Sequence, residues 1–400
     1  NDRMRILKVR PTKAYGGRLA MKSFVDDFGP FHDKTWINAS SIGAMPKVAL
    51  KAAEEAIKLN LQPYRLSEEV FVESPKNLKA ALGKLIGAPE EEIILGNSAT
   101  YGVHLWANGI PLKKGDEVLL VKGDFPASIL SWLYLRKHGI LVREIEPEGP
   151  VLDTKDVIKA ITPATKILNA TWVDSFTGYQ LDAKAVGKAC HEHEVLFLLN
   201  VTQGLGGQPF NVSKHPVDAI TCTGYKWLCG PYGTGFAWMK RDLIDTLEYN
   251  QTYWLAMQGD REMNKMREYK IRTQIGAAQY DVFGTANFFN YLPWTESIKY
   301  LHNQGLVNIK DHNAKLVNQF LTGLDSSKYT ISSPQKKDER TAIILISHRE
   351  PERNKAIFKH LQEEKIFIAF REGLLRFSPH LYNTPKDIDK ALTVLNNFKL

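Results

Sequence analysis

The sequence reads as an α/β protein with a mainly parallel sheet, followed by a smaller α+β domain at the C-terminal end. Three observations predict it. From about Pro46 to Lys240 short apolar runs alternate with helix-like stretches. Most of those runs are continuous, as in strands covered on both faces, and alternation of this kind indicates βαβ units. From about Tyr291 the order changes, and helices precede a cluster of strands.

The strands are expected at EEIILG (91–96), DEVLLV (116–121), TKILNATWV (165–173), EVLFLLNV (194–201), DAITCTG (218–224) and TGFAWMK (234–240). Helices are expected between them at Pro126–His138 and Leu181–His193. Segment 241–279, rich in Met, Arg, Gln and Tyr, has weak periodicity and is expected to form irregular walls of the active site. Helices at 295–305 and 307–321 then lead to strands YTISS, TAIILISH, IFIAF and LLRFSP, with helices at 351–364 and 384–398. The division expected is an N-terminal arm over 1–40, a large domain over 41–290 and a small domain over 291–400. No internal repeat or low-complexity tract is present.

Of the 400 residues 44% are hydrophobic and 24% charged, proportions that exclude a disordered or fibrous chain. No apolar run approaches the roughly 20 residues of a membrane span. No apolar stretch follows the basic start, so no secretory signal is expected. Three cysteines without metal-ligand spacing suggest reduced thiols, no metal and a cytoplasmic protein. The net charge of +8 is concentrated in residues 1–22, with seven Lys or Arg against one Asp, and the remaining 378 residues carry only +2. A solvated tail explains it, and no nucleic-acid or membrane partner is expected.

The chemistry is concentrated in DAITCTGYKWLCGPYGTGFAWM (218–239). Lys226, at a strand end and walled by Tyr225 and Trp227, is placed where loss of solvent lowers an amine's pKa and makes it a Schiff-base nucleophile. Alone, the same lysine reads as a solvent-facing side chain, and glycines 230, 233 and 235 as a turn. GNSAT (96–100) opens a helix after a strand, which forms a phosphate cup or, with no ligand, an ordinary serine cap. Asn200 to Gly204 ends the run VLFLL, and the carboxyl ends of parallel strands are where open α/β sheets bind ligands.

In this order, the phosphate cup, the N-x-x-Q strand end, T-x-Y-K-W and G-P-x-G-T-G resemble the class V aminotransferase group of pyridoxal-phosphate enzymes, fold type I. That group includes cysteine desulfurases, selenocysteine lyases, isopenicillin N epimerase-like proteins, cystine C–S lyases and kynureninase. The resemblance runs from TWINASSIGAMP (35–46) through FGTANFFNYLPW (283–294) to LLRFSPHLYNTPKDIDKAL (374–392). It implies a homodimer with shared active sites, pyridoxal 5'-phosphate as cofactor and an amino acid as substrate. Lys226 is implied as the Schiff-base lysine and the base at Cα. Ala99 and Thr100 match the phosphate loop, with Thr223 as a second phosphate contact, and Tyr225 lies beside them. Thr285 matches a threonine reaching the phosphate from the neighbouring subunit. Phe125 falls where the pyridine ring is stacked, and Gln203 where its phenolic oxygen is faced. Arg376 matches the arginine that grips the substrate carboxylate, a task suited to a bidentate guanidinium. Asn38 is placed with it on the substrate side.

Two departures follow. The residue facing the pyridine nitrogen is normally aspartate, whose charge keeps that nitrogen protonated, and here it is Asn200. A neutral amide makes a weaker electron sink, which favours β-elimination or racemisation over transamination. Second, no cysteine lies between Cys229 and the C-terminus, where desulfurases carry their persulfide-forming thiol. The expectation is a C–S lyase-like β-elimination on a cysteine-like substrate. An epimerase or aminotransferase on the same scaffold, and an inactive binding or scaffold protein, are the alternatives.

Overall fold

The computed structural model describes residues 24–257, 267–272, 275–284, 287–337 and 339–399. The chain begins with β1 (Thr35–Trp36), then helices α1 (Lys47–Leu61) and α2 (Glu68–Ile86). α2 stops at Gly87, whose φ of 73° is the left-handed conformation that ends a helix readily without a Cβ. β2 (Ile93–Gly96), α3 (Ala99–Gly109), β3 (Glu117–Val121), α4 (Pro126–Leu133), β4 (Leu141–Ile145), α5 (Thr154–Ala160), β5 (Thr165–Thr171), α6 (Ala183–Glu192), β6 (Leu196–Asn200), β7 (Ala219–Thr223) and β8 (Gly235–Met239) follow. Asp153 opens α5 through a reciprocal capping box with Asp156, and Asp182 caps α6 by accepting the Lys184 and Ala185 N–H groups.

Seven strands form one sheet in the order β2-β8-β7-β6-β5-β3-β4. β3 to β7 pair in parallel, whereas β8 lies antiparallel to both β2 and β7. Every residue of β2, β7 and β8 is buried, which is why these strands read as unbroken apolar runs. β4 has no counterpart among the expected strands. It is one of the two edge strands, with exposed Leu141, Arg143 and Glu144 interrupting the apolar pattern.

The rest of the chain supplies α7 (Arg241–Thr246), α8 (Trp254–Met257), α9 (Phe288–Gln304), α10 (Leu306–Gly323), β9 (Tyr329–Ile331), β10 (Ile344–His348), α11 (Asn354–Glu363), β11 (Ile366–Phe367), β12 (Ala369–Arg371), β13 (Leu374–Phe377) and α12 (Pro385–Asn397). α9 starts seven residues before the expected 295, because Pro293 lies inside the helix and masks its first turns. IFIAF is two strands: β11 pairs in parallel with β1, and β12 joins the antiparallel sheet β12-β13-β10-β9. The pairing of β1 with β11, and the bridge from Asn38 to Ser378, carry the 35–42 segment into contact with the C-terminal residues. Among the described residues no helix is long and apolar enough to cross a membrane.

Candidate active site

β5, β6 and β7 end at Thr171, Asn200 and Thr223, and these three residues line one cleft with about 430 Å3 of empty space. Ser98, Ala99 and Thr100 at the start of α3, with Phe125, Gln203, Tyr225 and Lys226, complete most of its wall. The sequence-predicted residues Ala99, Thr100, Phe125, Asn200, Gln203, Thr223, Tyr225 and Lys226 therefore share one cleft. Arg376 and Asn38 are not among its lining residues, and Thr285 lies outside the described residues. None of the lining comes from the described part of 241–279, which corrects the expectation of active-site walls there. Those residues form α7, α8 and a 3-10 turn at Gly276–Tyr280, and Gln251 is tied to Tyr101 of α3 and to the Asp281 carbonyl.

Backbone proximity shapes the cleft. Ser98 caps α3 by accepting the Tyr101 N–H at 3.4 Å, and the Ala99 N–H points to Thr223 Oγ1 at 3.4 Å. This brings the positive end of α3 beside a hydroxyl at the end of β7, a combination suited to an anion. On the opposite side Gly43 donates its N–H to the Tyr225 carbonyl at 2.9 Å. A Cβ on Gly43 would lie 1.9 Å from the Lys226 carbonyl oxygen, so only glycine permits this approach.

Lys226 is half-buried, with Nζ 5.4 Å from the centre of the Phe125 ring. Burial, and then the Arg376 charge, push its pKa down to about 8. A lysine held near neutrality can act as a nucleophile or base. Arg376 is 2% exposed and donates to the Ser175 carbonyl and Ser41 Oγ, each at 3.0 Å, while its Nε is buried without a partner. Burial, and then the Arg371 charge, push its pKa down to about 10, and the Asp174 carboxylate opposes that shift. Gln203 connects the same region to the cleft: Nε2 donates to the Ser40 carbonyl at 3.0 Å and Ser175 Oγ at 3.1 Å, and Oε1 accepts the Trp227 indole N–H at 2.9 Å. Asn38 is 7% exposed, and its Oδ1 is buried without a partner.

Asn200 ends β6 with its side chain already engaged, Nδ2 donating to Ser128 Oγ at 3.0 Å and Oδ1 accepting the Thr202 N–H at 3.1 Å. Cys190, Cys222 and Cys229 are free and buried, and burial pushes each thiol up, away from the reactive thiolate.

Residues 45–391 match the model of the family Aminotransferase class-V. The chain belongs to the class-V aminotransferase family. It is 25% identical to a probable cysteine desulfurase of Methanothermobacter thermautotrophicus over 73% of each chain, and 23% identical to the kynureninase of Shouchella clausii over 96% of this chain and 93% of that one. Its fold is similar to the apo cysteine desulfurase of Thermococcus onnurineus NA1, with a TM-score of 0.82 at 20% identity over 92% of this chain and 96% of that one. It is also similar to the cystine C–S lyase C-DES in complex with its reaction product cysteine persulfide, with a TM-score of 0.84 at 19% identity over 92% and 98% of the two chains.

Several residues of this class-V cleft have no signal in the sequence. Thr171 and Ser175 in its lining, and Ser128 behind Asn200, gain their place from the sheet order alone, being ordinary hydroxyls between strongly patterned segments. Asp124 is the residue before Phe125, and only its depth distinguishes it: it is 8% exposed with one buried oxygen unpartnered.

Proposed function

We propose that this class-V protein is a pyridoxal-phosphate enzyme that removes the sulfur-bearing group from Cβ of a cysteine-like amino acid. The cofactor reading is carried by one juxtaposition. A lysine held near pKa 8 faces an aromatic ring in the same cleft as a helix N-terminus paired with a strand-end hydroxyl. These residues fit the group: Ala99, Thr100 and Thr223 for its phosphate, Phe125 for its ring, Asn200 and Gln203 for the ring's nitrogen and phenolic oxygen, Tyr225 beside them, and Lys226 for covalent attachment. When bound, pyridoxal phosphate supplies an electron sink conjugated to the substrate's α-carbon.

Around it, Arg376 receives the substrate carboxylate, using donors that turn from Ser41 and the Ser175 carbonyl and its unpartnered Nε. Asn38, with an unpartnered buried oxygen, belongs to the same substrate side. Lys226 would hold the group covalently, and its free amine would take the Cα proton of the substrate. The Cβ–S bond then breaks, sulfur leaves with the bonding pair, and the three-carbon enamine hydrolyses to pyruvate and ammonium. Asn200 supports elimination over transamination, since a neutral amide does not hold a protonated ring nitrogen by charge. The three buried thiols, with none after Cys229, support release of the sulfur product directly rather than its passage through a protein persulfide.

The active form in this reading is a homodimer with shared active sites, Thr285 reaching the partner's phosphate. Exposed apolar side chains on α1 and its neighbours, among them Leu50, Ile57, Leu61, Phe71 and Phe289, are the surface such a dimer would cover. The reading keeps the three-part division at 40 and 290, and places the protein in the cytoplasm on its reduced thiols. Borohydride reduction of the cofactor-loaded protein, followed by peptide mapping, tests the cofactor assignment. The expected label is on Lys226 alone, and a label elsewhere or none would overturn it.

A further inference from the structure

A single hydrogen-bonded chain connects the cleft to a buried carboxyl outside the catalytic set. It starts at Asn200. A backbone N–H can only donate, so the atom that meets Thr202 N at 3.1 Å is the amide oxygen, and the amide nitrogen is therefore turned to Ser128 Oγ at 3.0 Å. At the far end Thr171 Oγ1 donates to Asp124 Oδ1 at 2.5 Å. Thr171 has only one hydroxyl hydrogen, so across the 3.3 Å contact between Ser128 and Thr171 it is Ser128 that donates. Every link thus points the same way, from Asn200 through Ser128 and Thr171 to Asp124. Asn169 fixes the middle of the chain by donating Nδ2 to the Ser128 carbonyl at 2.8 Å.

Asp124 imposes that polarity in either protonation state. Its Oδ1 also accepts the Phe125 N–H at 2.6 Å, so a proton taken up by the carboxyl goes to the unpartnered Oδ2 and Oδ1 remains an acceptor. Burial, with the Asp174 carboxylate nearby, pushes this pKa up to about 7. The other charged group lining that side, Lys122, is drawn away to Glu146 at 2.9 Å.

We propose that Asp124 is a positioning residue for Asn200: acting through Thr171 and Ser128, it locks the carboxamide so that the end of β6 offers an N–H donor instead of a negative charge, and so takes the cofactor's ring nitrogen unprotonated, as an acceptor. The proposal rests on the cofactor reading above and deepens it. Asn200 is then a substitution supported by its surroundings, because an aspartate at 200 would compete for the Ser128 hydrogen and break the link to Thr171. Asp124→Ala would remove the acceptor at the end of the chain, so that nothing holds the Thr171 hydrogen away from Ser128.

Two measurements test this on the full chain. In the cofactor-free protein, a double-mutant cycle of Asp124→Ala and Asn200→Ala is followed by urea unfolding, with and without Thr171→Val. Midpoint shifts that fail to add, and that become additive once Thr171→Val cuts the chain, are expected; additive shifts throughout overturn the proposal. In protein loaded with pyridoxal phosphate carrying 15N in the ring, the wild-type resonance should be that of an unprotonated nitrogen at pH 7. It should move to the protonated position in Asn200→Asp and shift in Asp124→Ala. A protonated ring in the wild type, or a resonance unmoved by Asp124→Ala, overturns it. Failure of the labelled cofactor to bind would contradict the cofactor reading instead, and the cycle in the cofactor-free chain would then decide the Asp124–Asn200 coupling by itself.

Discussion

His380 donates its Nε2–H to the carbonyl of Trp227 at 3.1 Å, one residue beyond Lys226. A carbonyl can only accept, so Nε2 carries a hydrogen, and complete burial pushes the pKa down to about 4, which keeps the imidazole neutral near pH 7. The same motif holds the N-terminal segment, because Asn383 accepts the His380 N–H at 3.0 Å and donates to the Trp36 carbonyl at 2.9 Å. His380→Leu should leave the Trp227 carbonyl without its donor and cost about 1–3 kcal/mol. Thermal unfolding of the full chain should show that loss, accompanied by weaker borohydride labelling of Lys226.

Gly43→Ala should be far more damaging to the site than to the core. Its methyl would meet the Lys226 carbonyl, and backbone on both sides leaves no side chain to yield. Cofactor retention on a desalting column should fall sharply, while the far-ultraviolet circular dichroism of the variant stays native.

The amine of Lys226 should titrate near pH 8 in the cofactor-free chain, below the ordinary lysine range, because burial and the Arg376 charge both oppose protonation. Arg376→Gln removes the like charge and should move the midpoint upward, though burial keeps it below 10.5. Folding follows the same linkage. The unfolded chain binds the proton more tightly, so this group's penalty is full below about pH 8 and fades as pH rises toward 10.5. Acylation rates at Lys226 against pH, read by peptide mapping, check the midpoint.

Replacing all three cysteines by alanine should leave turnover of a β-substituted amino acid within a few-fold of wild type. Each site is buried, so small cavities cost stability, of the order of 1 kcal/mol apiece. Pyruvate assays on the triple variant, with its unfolding curve as control, distinguish a thiol-free lyase from a persulfide relay.

Six of the seven strands in the central sheet are legible in the sequence because burial on both faces turns them into continuous apolar runs. β4 is not, since solvent reaches Leu141, Arg143 and Glu144 and leaves only Val142 and Ile145 buried. Lys226, Asn200 and Gln203 are legible because strand ends and a family pattern mark them. The partners that decide their chemistry are not. Arg376 meets Ser175 and Ser41 across separations of 201 and 335 residues, and the chain from Asn200 to Asp124 crosses three elements. Such contacts are set by sheet order, which no local spacing encodes.

The most direct test of the account is to incubate the purified, cofactor-loaded protein with cystine in the absence of any keto acid, and to measure pyruvate together with the final form of the cofactor. Pyruvate in many-fold excess over enzyme, with the cofactor back on Lys226, is the expected result. Absence of pyruvate, with the cofactor left as pyridoxamine phosphate, would contradict the lyase reading and the role given to Asn200.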